Sequence, residues 1–239
     1  MFIYGRNAVH SYFDTKQSVL EVYLQEGFKD EALIALIPSG VKVNNLKVYE
    51  LRKLLGEHAV HQGIAIKVPD FKFETLEGLL HKIEGVTNPV IVMLDGIQDP
   101  HNLGAIIRTC DALGVNGVII PERRSATITP TVIKVATGAT DYVPIVQVTN
   151  LTRTLQKLKE HKFWVVGAEA WQAQDYRSVD YNSPIVVVLG NEGDGISRLV
   201  LEQCDFRVKL PMCGHVDSLN VSVATAVLLY GVYNSRHPL

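Results

Sequence analysis

The sequence predicts an α/β protein: a parallel sheet covered by helices on both faces, preceded by a smaller α/β unit. Two observations carry this. From Val90 onward, short runs that are almost wholly apolar alternate with helical stretches, as expected of strands buried on both faces. Upstream of a polar stretch at Pro69–Pro89, a second set of short strands and helices stands apart.

In the first unit, residues 1–68, a helix opens at Gly5-Arg6-Asn7-Ala8-Val9-His10, followed by a strand at Val19–Leu24 and a helix at Glu31–Ile37. Short strands are expected near Val41 and at Gly63–Val68. Residues 69–89, with an amphipathic piece at Leu76–Ile83 ended by Gly85 and Asn88-Pro89, read as a linker. The second domain, residues 90–239, then runs Val90–Asp95 as a strand, a helix to about Leu113 closed by Gly114, a strand at Gly117–Pro121, and a helix near Thr131–Gly138. Val143–Val148, Phe163–Ala168, Ile185–Gly190 and Phe206–Leu210 continue the strands. Helices are expected at Leu151–His161, from the glycine-rich stretch to about Cys204, and from Leu219 to Tyr233.

Composition narrows the function classes. At 239 residues, 47% hydrophobic and 20% charged, the chain has enough apolar material for a real core. Its longest apolar runs fall far short of the roughly 20 residues of a membrane helix, and no signal segment opens it, so a cytoplasmic location is expected. Cys110, Cys204 and Cys213 are too few and too scattered for disulfides or paired zinc ligands, and read as buried thiols. A net charge of −2 argues mildly against a generic nucleic-acid binder. Local arginines such as Arg6, Arg108, Arg123 and Arg124 can still form a patch on a neutral body.

Ligands of such sheets bind at the carboxyl ends of strands, and three loops there are unusual. The first, Asp95 to Arg108, turns at Pro100 and offers Asn102 as a helix cap. Arg108, a cation in an apolar run near a helix start, pairs with Asp111 or Asp141 or else meets an anion. The second, Leu189-Gly-Asn-Glu-Gly-Asp-Gly-Ile196, is either a tight turn or a loop whose backbone approaches a ligand. Its glycine order is not that of dinucleotide folds, no phosphate-loop lysine follows, and Glu192 would repel a pyrophosphate. The third, Val208 to Ala224, carries Cys213 and His215, too few for a closed metal site. Ser218 there lacks the surroundings of a nucleophile and serves capping or ligand contact.

The spacing of Asn102 and Arg108, then Leu-Gly-Asn-Glu-Gly-Asp-Gly-Ile, then Leu-Pro-Met-Cys-Gly-His-Val-Asp-Ser-Leu-Asn-Val-Ser-Val-Ala resembles the three motifs of the SpoU (TrmH) branch of the SPOUT RNA methyltransferases. Gly5-Arg6-Asn7-Ala8-Val9 and His61-Gln62-Gly63-Ile64-Ala65 resemble the small ribosomal-protein-like RNA-recognition domain of one subgroup, so the likeness spans nearly the whole chain. That subgroup contains the guanosine 2′-O-methyltransferases of large-subunit (23S) ribosomal RNA. The resemblance implies a C-terminal trefoil knot, a homodimer, S-adenosylmethionine as cofactor, no metal, and ribosomal RNA as partner.

By the same resemblance, cofactor contacts fall on Leu189, Gly190, Gly193, Leu210, Met212, Leu219, Asn220 and Ala224, with Thr137 and Gly138 as a further wall. Arg108 is the residue expected to stabilise a ribose alkoxide, with Asn102, Glu192, Ser218 and Asn220 positioning ribose and arginine. Arg6, Arg123 and Arg124 are candidate phosphate contacts. Transfer RNA as substrate, a non-catalytic RNA-binding assembly factor and a nucleotide-dependent oxidoreductase are the alternatives.

Overall fold

The computed structural model describes residues 1–14, 18–216 and 218–238. It divides into two units, Met1–Lys72 and Phe73–Leu239.

The first unit is built from β1 (Phe2–Tyr4), α1 (Arg6–Asp14), β2 (Glu21–Gln25), α2 (Glu31–Ala35), β3 (Lys42–Leu46), α3 (Val48–Leu55) and β4 (Ile64–Lys67). Its sheet order is β1-β4-β2-β3, with β4 antiparallel to both neighbours and β3 parallel to β2. Ile3, Val9, Val22, Leu33, Ile64 and Ile66 form its core. Two elements go beyond the sequence reading. β1 is only three residues long, and α3 starts after Lys47, which carries no helix-start signal. There the Glu50 carboxylate accepts the Lys47 N–H at 2.8 Å, supplying the missing cap from inside the helix.

The second unit begins earlier than the sequence suggests. Residues 73–83 are structural rather than linking: Leu76 and Leu79 of α4 (Leu76–Lys82) and Ile83 at its C-terminal cap lie in its core, and Glu74 N–H donates to Ile145 O at 2.8 Å. The polar residues that suggested a linker occupy only the outer face of this short helix.

After α4 come β5 (Val90–Asp95), α5 (Pro100–Ala112), β6 (Gly117–Pro121), α6 (Pro130–Ala136), β7 (Ile145–Val148), α7 (Leu151–Glu160), β8 (Trp164–Ala168) and β9 (Gln174–Asp175). The chain ends with β10 (Ile185–Gly190), α8 (Arg198–Leu201), β11 (Phe206–Lys209) and α9 (Val221–Arg236). Among the described residues the sheet has seven strands in the order β7-β6-β5-β10-β8-β11-β9, every pairing parallel. Its centre is β5 beside β10, in register from Ile185 opposite Val90 to Gly190 opposite Asp95. Those strands are buried on both faces, which is why they read as unbroken apolar runs.

One face packs Ile91, Met93, Val186 and Val188 against Leu79 of α4, Leu155 of α7 and Val200 of α8. α8 is only four residues, shorter than the helix expected to reach Cys204. On the other side α5 packs on both α6 and α9. Gly104 sets the α5–α6 approach, since a Cβ there would lie 2.7 Å from the Val135 side chain and 2.9 Å from Val132 O.

α9 is anchored at its far end by Arg236. Its guanidinium donates to Tyr181 O (2.9 Å), Asn88 O (2.7 Å) and Ser183 O (2.9 Å), tying the last turn to the chain just before β5 and β10. Among the described residues no helix is long and apolar enough to cross a membrane.

Candidate active site

The loops that follow β5, β6, β10 and β11 meet at the carboxyl end of the sheet, and the central pair sets the geometry. The β10 loop folds back on itself: Asn191 Oδ1 accepts the N–H groups of Gly193 (2.8 Å) and Asp194 (2.7 Å), and Asn191 O accepts that of Gly195 (3.2 Å). Asp95, the last residue of β5, accepts Ser197 N–H at 2.7 Å and pins the far side of the loop. Gly190 is required by this closure, because a Cβ there would sit 2.0 Å from the Gly195 carbonyl carbon. The tight-turn reading of this glycine is therefore borne out, and Gly190 serves the loop's own backbone directly. A Cβ on Gly96, after β5, would lie 3.5 Å from Asn191 Nδ2 and 3.7 Å from Arg124 O, so the loops after β5, β6 and β10 adjoin.

Asn102 does not cap α5. The cap is Asp99, whose carboxylate accepts His101 N–H at 3.0 Å, with Pro100 preset for the first helical position. Asn102 lies in the first turn with its side chain free for a different task. Its Nδ2 donates to Glu192 in the β10 loop, and its Oδ1 accepts from Asn220 Nδ2 at 3.0 Å. Asn220 is itself the N-cap of α9, accepting Ser222 N–H at 3.0 Å and Ser222 Oγ–H at 2.6 Å. A directed chain thus runs Ser222 to Asn220 to Asn102 to Glu192, joining three segments far apart in sequence. Three of the expected site residues, Asn102, Glu192 and Asn220, come together here.

Arg108 lies further along α5, about 9 Å from Asn102 along the helix axis. It is exposed, and among the described residues neither Asp111, Asp141 nor any other carboxylate pairs with it. With the helix starting at Pro100 it is in the third turn, so the expectation of a cation close to the helix start is corrected.

Leu189 is buried, Leu210, Met212 and Ala224 are half-buried, and Ser218 and Leu219 are exposed around the loop after β11. Apolar side chains left partly open beside the glycine loop are a fit for the flat, largely apolar face of an adenine. Gly193 leaves that side open, its nearest neighbour beyond the adjacent residues being Asn191 Oδ1. Thr137 and Gly138 take consecutive left-handed conformations (φ 50° and 91°) at the end of α6, in the layer that packs on α5.

Of the candidate RNA contacts, Arg123 and Arg124 are exposed after β6. Arg6 in the first unit is engaged, 3.6 Å from Asp30 and over the Phe28 ring. Burial pushes the Cys110 thiol up and that of Cys204 to about 11, as inert core thiols should behave. Cys213 departs from the buried reading and is exposed. Asn191 and Asp95 are the residues the sequence reading missed. Asn followed by Gly at the second position was a legible turn signal, whereas Asp95 shows its role only once β10 lies beside β5.

Comparison with known proteins shows the family of the chain. Residues 89–230 match the SpoU rRNA Methylase family model, and residues 2–74 match the model for RNA 2′-O ribose methyltransferase substrate binding. A Staphylococcus haemolyticus protein placed in the TrmH family of tRNA/rRNA methyltransferases is 42% identical over 241 residues, covering 98% of this chain and 96% of its own. The SpoU methyltransferase AviRb of Streptomyces viridochromogenes, solved with AdoMet, superposes with a TM-score of 0.70 at 21% identity, over 100% of this chain and 91% of its own. The TrmH/SpoU tRNA modifying enzyme of A. aeolicus is 34% identical with a TM-score of 0.58, over 67% of this chain and 83% of its own. The chain belongs to the SpoU (TrmH) family of S-adenosylmethionine-dependent RNA 2′-O-ribose methyltransferases.

Proposed function

We propose that the chain methylates the ribose 2′-hydroxyl of a guanosine in large-subunit ribosomal RNA. The observation that carries the mechanism is the Asn220–Asn102–Glu192 chain, with an exposed Arg108 that no carboxylate among the described residues pairs lying about two turns further along the helix that carries Asn102. S-adenosylmethionine would supply an electrophilic methyl group, and the backbone around Leu189, Gly190 and Gly193, together with Leu210, Met212, Leu219 and Ala224 and with Thr137 and Gly138 as a further wall, would hold it. Arg108 stabilises the alkoxide that develops as the 2′-hydroxyl loses its proton; a guanidinium resists deprotonation, so its part is electrostatic. Asn102, Glu192, Ser218 and Asn220 hold the ribose, the three joined ones as a preset frame.

Ribosomal RNA is favoured over transfer RNA by the first unit. Its match to the substrate-binding model adds a recognition domain, and the tRNA modifying enzyme of A. aeolicus aligns with only part of this chain. Arg6, Arg123 and Arg124 contact phosphates in this reading. The protein works in the cytoplasm as a homodimer with a knotted C-terminal segment. α9 turns Val221, Leu228 and Val232 inward, while Val223, Val227 and Tyr230 form an exposed stripe at helical spacing that a second copy would cover.

The test is methyl transfer from labelled S-adenosylmethionine into unmodified 23S ribosomal RNA and, in parallel, unmodified transfer RNA, with Arg108→Ala as control. Label released as 2′-O-methylguanosine from ribosomal RNA alone, with the variant binding cofactor but at least about 100-fold slower, is the expected result. Label in transfer RNA alone refutes the substrate, and near-normal rates in Arg108→Ala refute the role of Arg108.

A further inference from the structure

Tryptophan is rarely left in water, because its ring carries a large apolar area. Trp171 is 81% exposed, on the loop that follows β8. Since β8 is parallel to β10, this loop emerges at the same end of the sheet as the β10 loop. The two loops touch, with the Glu169 carboxylate 3.8 Å from the position of a Cβ on Gly195.

The turn that presents the indole is held in place. Glu169 Oε1 accepts the N–H groups of Ala170 (2.8 Å) and Trp171 (3.5 Å), Glu169 N–H donates to Val208 O (2.9 Å), and Gln172 is left-handed at φ 51°. The charges in the turn and in the adjoining loop are acidic, Glu169 in the turn itself and Glu192 and Asp194 in the loop, while the cations Arg207 and Lys209 flank Val208 on β11. On the side of the β10 loop those carboxylates repel a phosphodiester, whereas the flat face of a base carries no charge to be repelled.

We infer that Trp171 is a stacking platform for an unpaired base of the RNA substrate next to the methylated nucleotide, and so a residue that positions the substrate strand. This rests on the methyl-transfer reading. Stacking of a base on an aromatic ring tolerates any base, so the platform fixes the position of the strand without reading its sequence.

The two tryptophans of the chain make the test direct. In a Trp164→Phe background Trp171 is the sole indole, and its fluorescence is titrated with the 23S ribosomal RNA and transfer RNA transcripts used in the labelling assay. Quenching, together with protection from acrylamide, is expected with the transcript that accepts label. Trp171→Ala should raise KM for that RNA about tenfold while cofactor affinity stays unchanged, and Trp171→Phe should recover most of the loss.

Fluorescence indifferent to both RNAs overturns the platform whether or not label is transferred. Normal transfer by Trp171→Ala at unchanged KM overturns it and leaves the methyltransferase reading standing. A Trp171→Ala variant weakened in cofactor binding, or shifted toward monomer, assigns the indole to the cofactor or to a second copy instead.

Discussion

Gly190→Ala and Gly193→Ala differ by one methyl group three residues apart, yet the structure separates their outcomes. At Gly190 the new carbon would lie 2.0 Å from Gly195 C and 2.2 Å from both Gly195 O and Ile196 N. Against an ordinary contact of 3.4 Å, the loop backbone must retreat by about 1.4 Å, taking 3.4 minus 2.0. The opposing atoms are backbone, so no side chain can rotate away. A movement of that size breaks the hydrogen bonds of Gly193, Asp194 and Gly195 to Asn191, which are 2.7–3.2 Å long. These are exposed bonds, so their loss sums to about 1–3 kcal/mol at the low end of the usual range. That cost falls on the loop-closed state, so cofactor affinity should drop by about 5- to 150-fold. At Gly193 the same carbon meets only Asn191 Oδ1, at an ordinary 3.5 Å, so loop closure should hold, and any loss of affinity there comes from the methyl group facing the cofactor rather than from the loop. Calorimetric titration of both variants with S-adenosylmethionine is the assay, with urea unfolding to show that the sheet beneath is intact. Equal affinities for Gly190→Ala and the parent would refute the argument that loop closure forms the cofactor site.

Asn102→Ala removes the link between Glu192 and Asn220 without touching the helix cap on Asp99. Turnover should fall by about 10- to 100-fold with the melting temperature nearly unchanged, and unaltered kcat would show that the chain is not part of the machinery. Arg236→Ala frees three backbone carbonyls, and the unfolding free energy should drop by about 2–4 kcal/mol in urea. An unshifted midpoint would mean that α9 is held by its apolar face alone. Burial, with Tyr176 and Asp175 nearby, raises the Tyr181 phenol from 10.0 to about 12. The folded pKa is raised, so its stability contribution is whole below pH 10 and is lost as pH climbs toward 12. Alkaline unfolding followed by circular dichroism should begin in that window and be blunted in Tyr181→Phe, even though that variant loses the hydroxyl's 2.6 Å bond to Tyr176 O.

How far the sequence reached depended on whether a feature was local. β5 and β10 were legible because a strand buried on both faces has no polar register to blur it, as Val90–Leu94 and Ile185–Leu189 illustrate. α3 was not, because its cap is Glu50 from inside the helix, and α4 was misplaced because a short amphipathic helix on a domain edge looks like a polar linker. In the site, the types and spacing of Asn102, Glu192 and Asn220 pointed to function, but a helix cap was an equally good local account of Asn102. Only the presence of Asp99 at the true cap, together with two partners 90 and 118 residues away, removed that account.

Periodicity alone determined the α/β class and two units of secondary structure, and motif spacing pointed to the SpoU family, because apolar repeat, turn chemistry and residue order are properties of neighbouring residues. Tertiary structure alone decided that β10 inserts beside β5, and with it that the loops carrying Asn102 and Glu192 come into contact. It also decided that Asn220 caps the helix that closes the same site and that the loop carrying the exposed Trp171 lies against Gly195 through Glu169. The physical reason is that parallel pairing and side-chain hydrogen bonds join atoms distant along the chain, and no local pattern records which of many compatible strand orders lets all of the buried faces be covered at once.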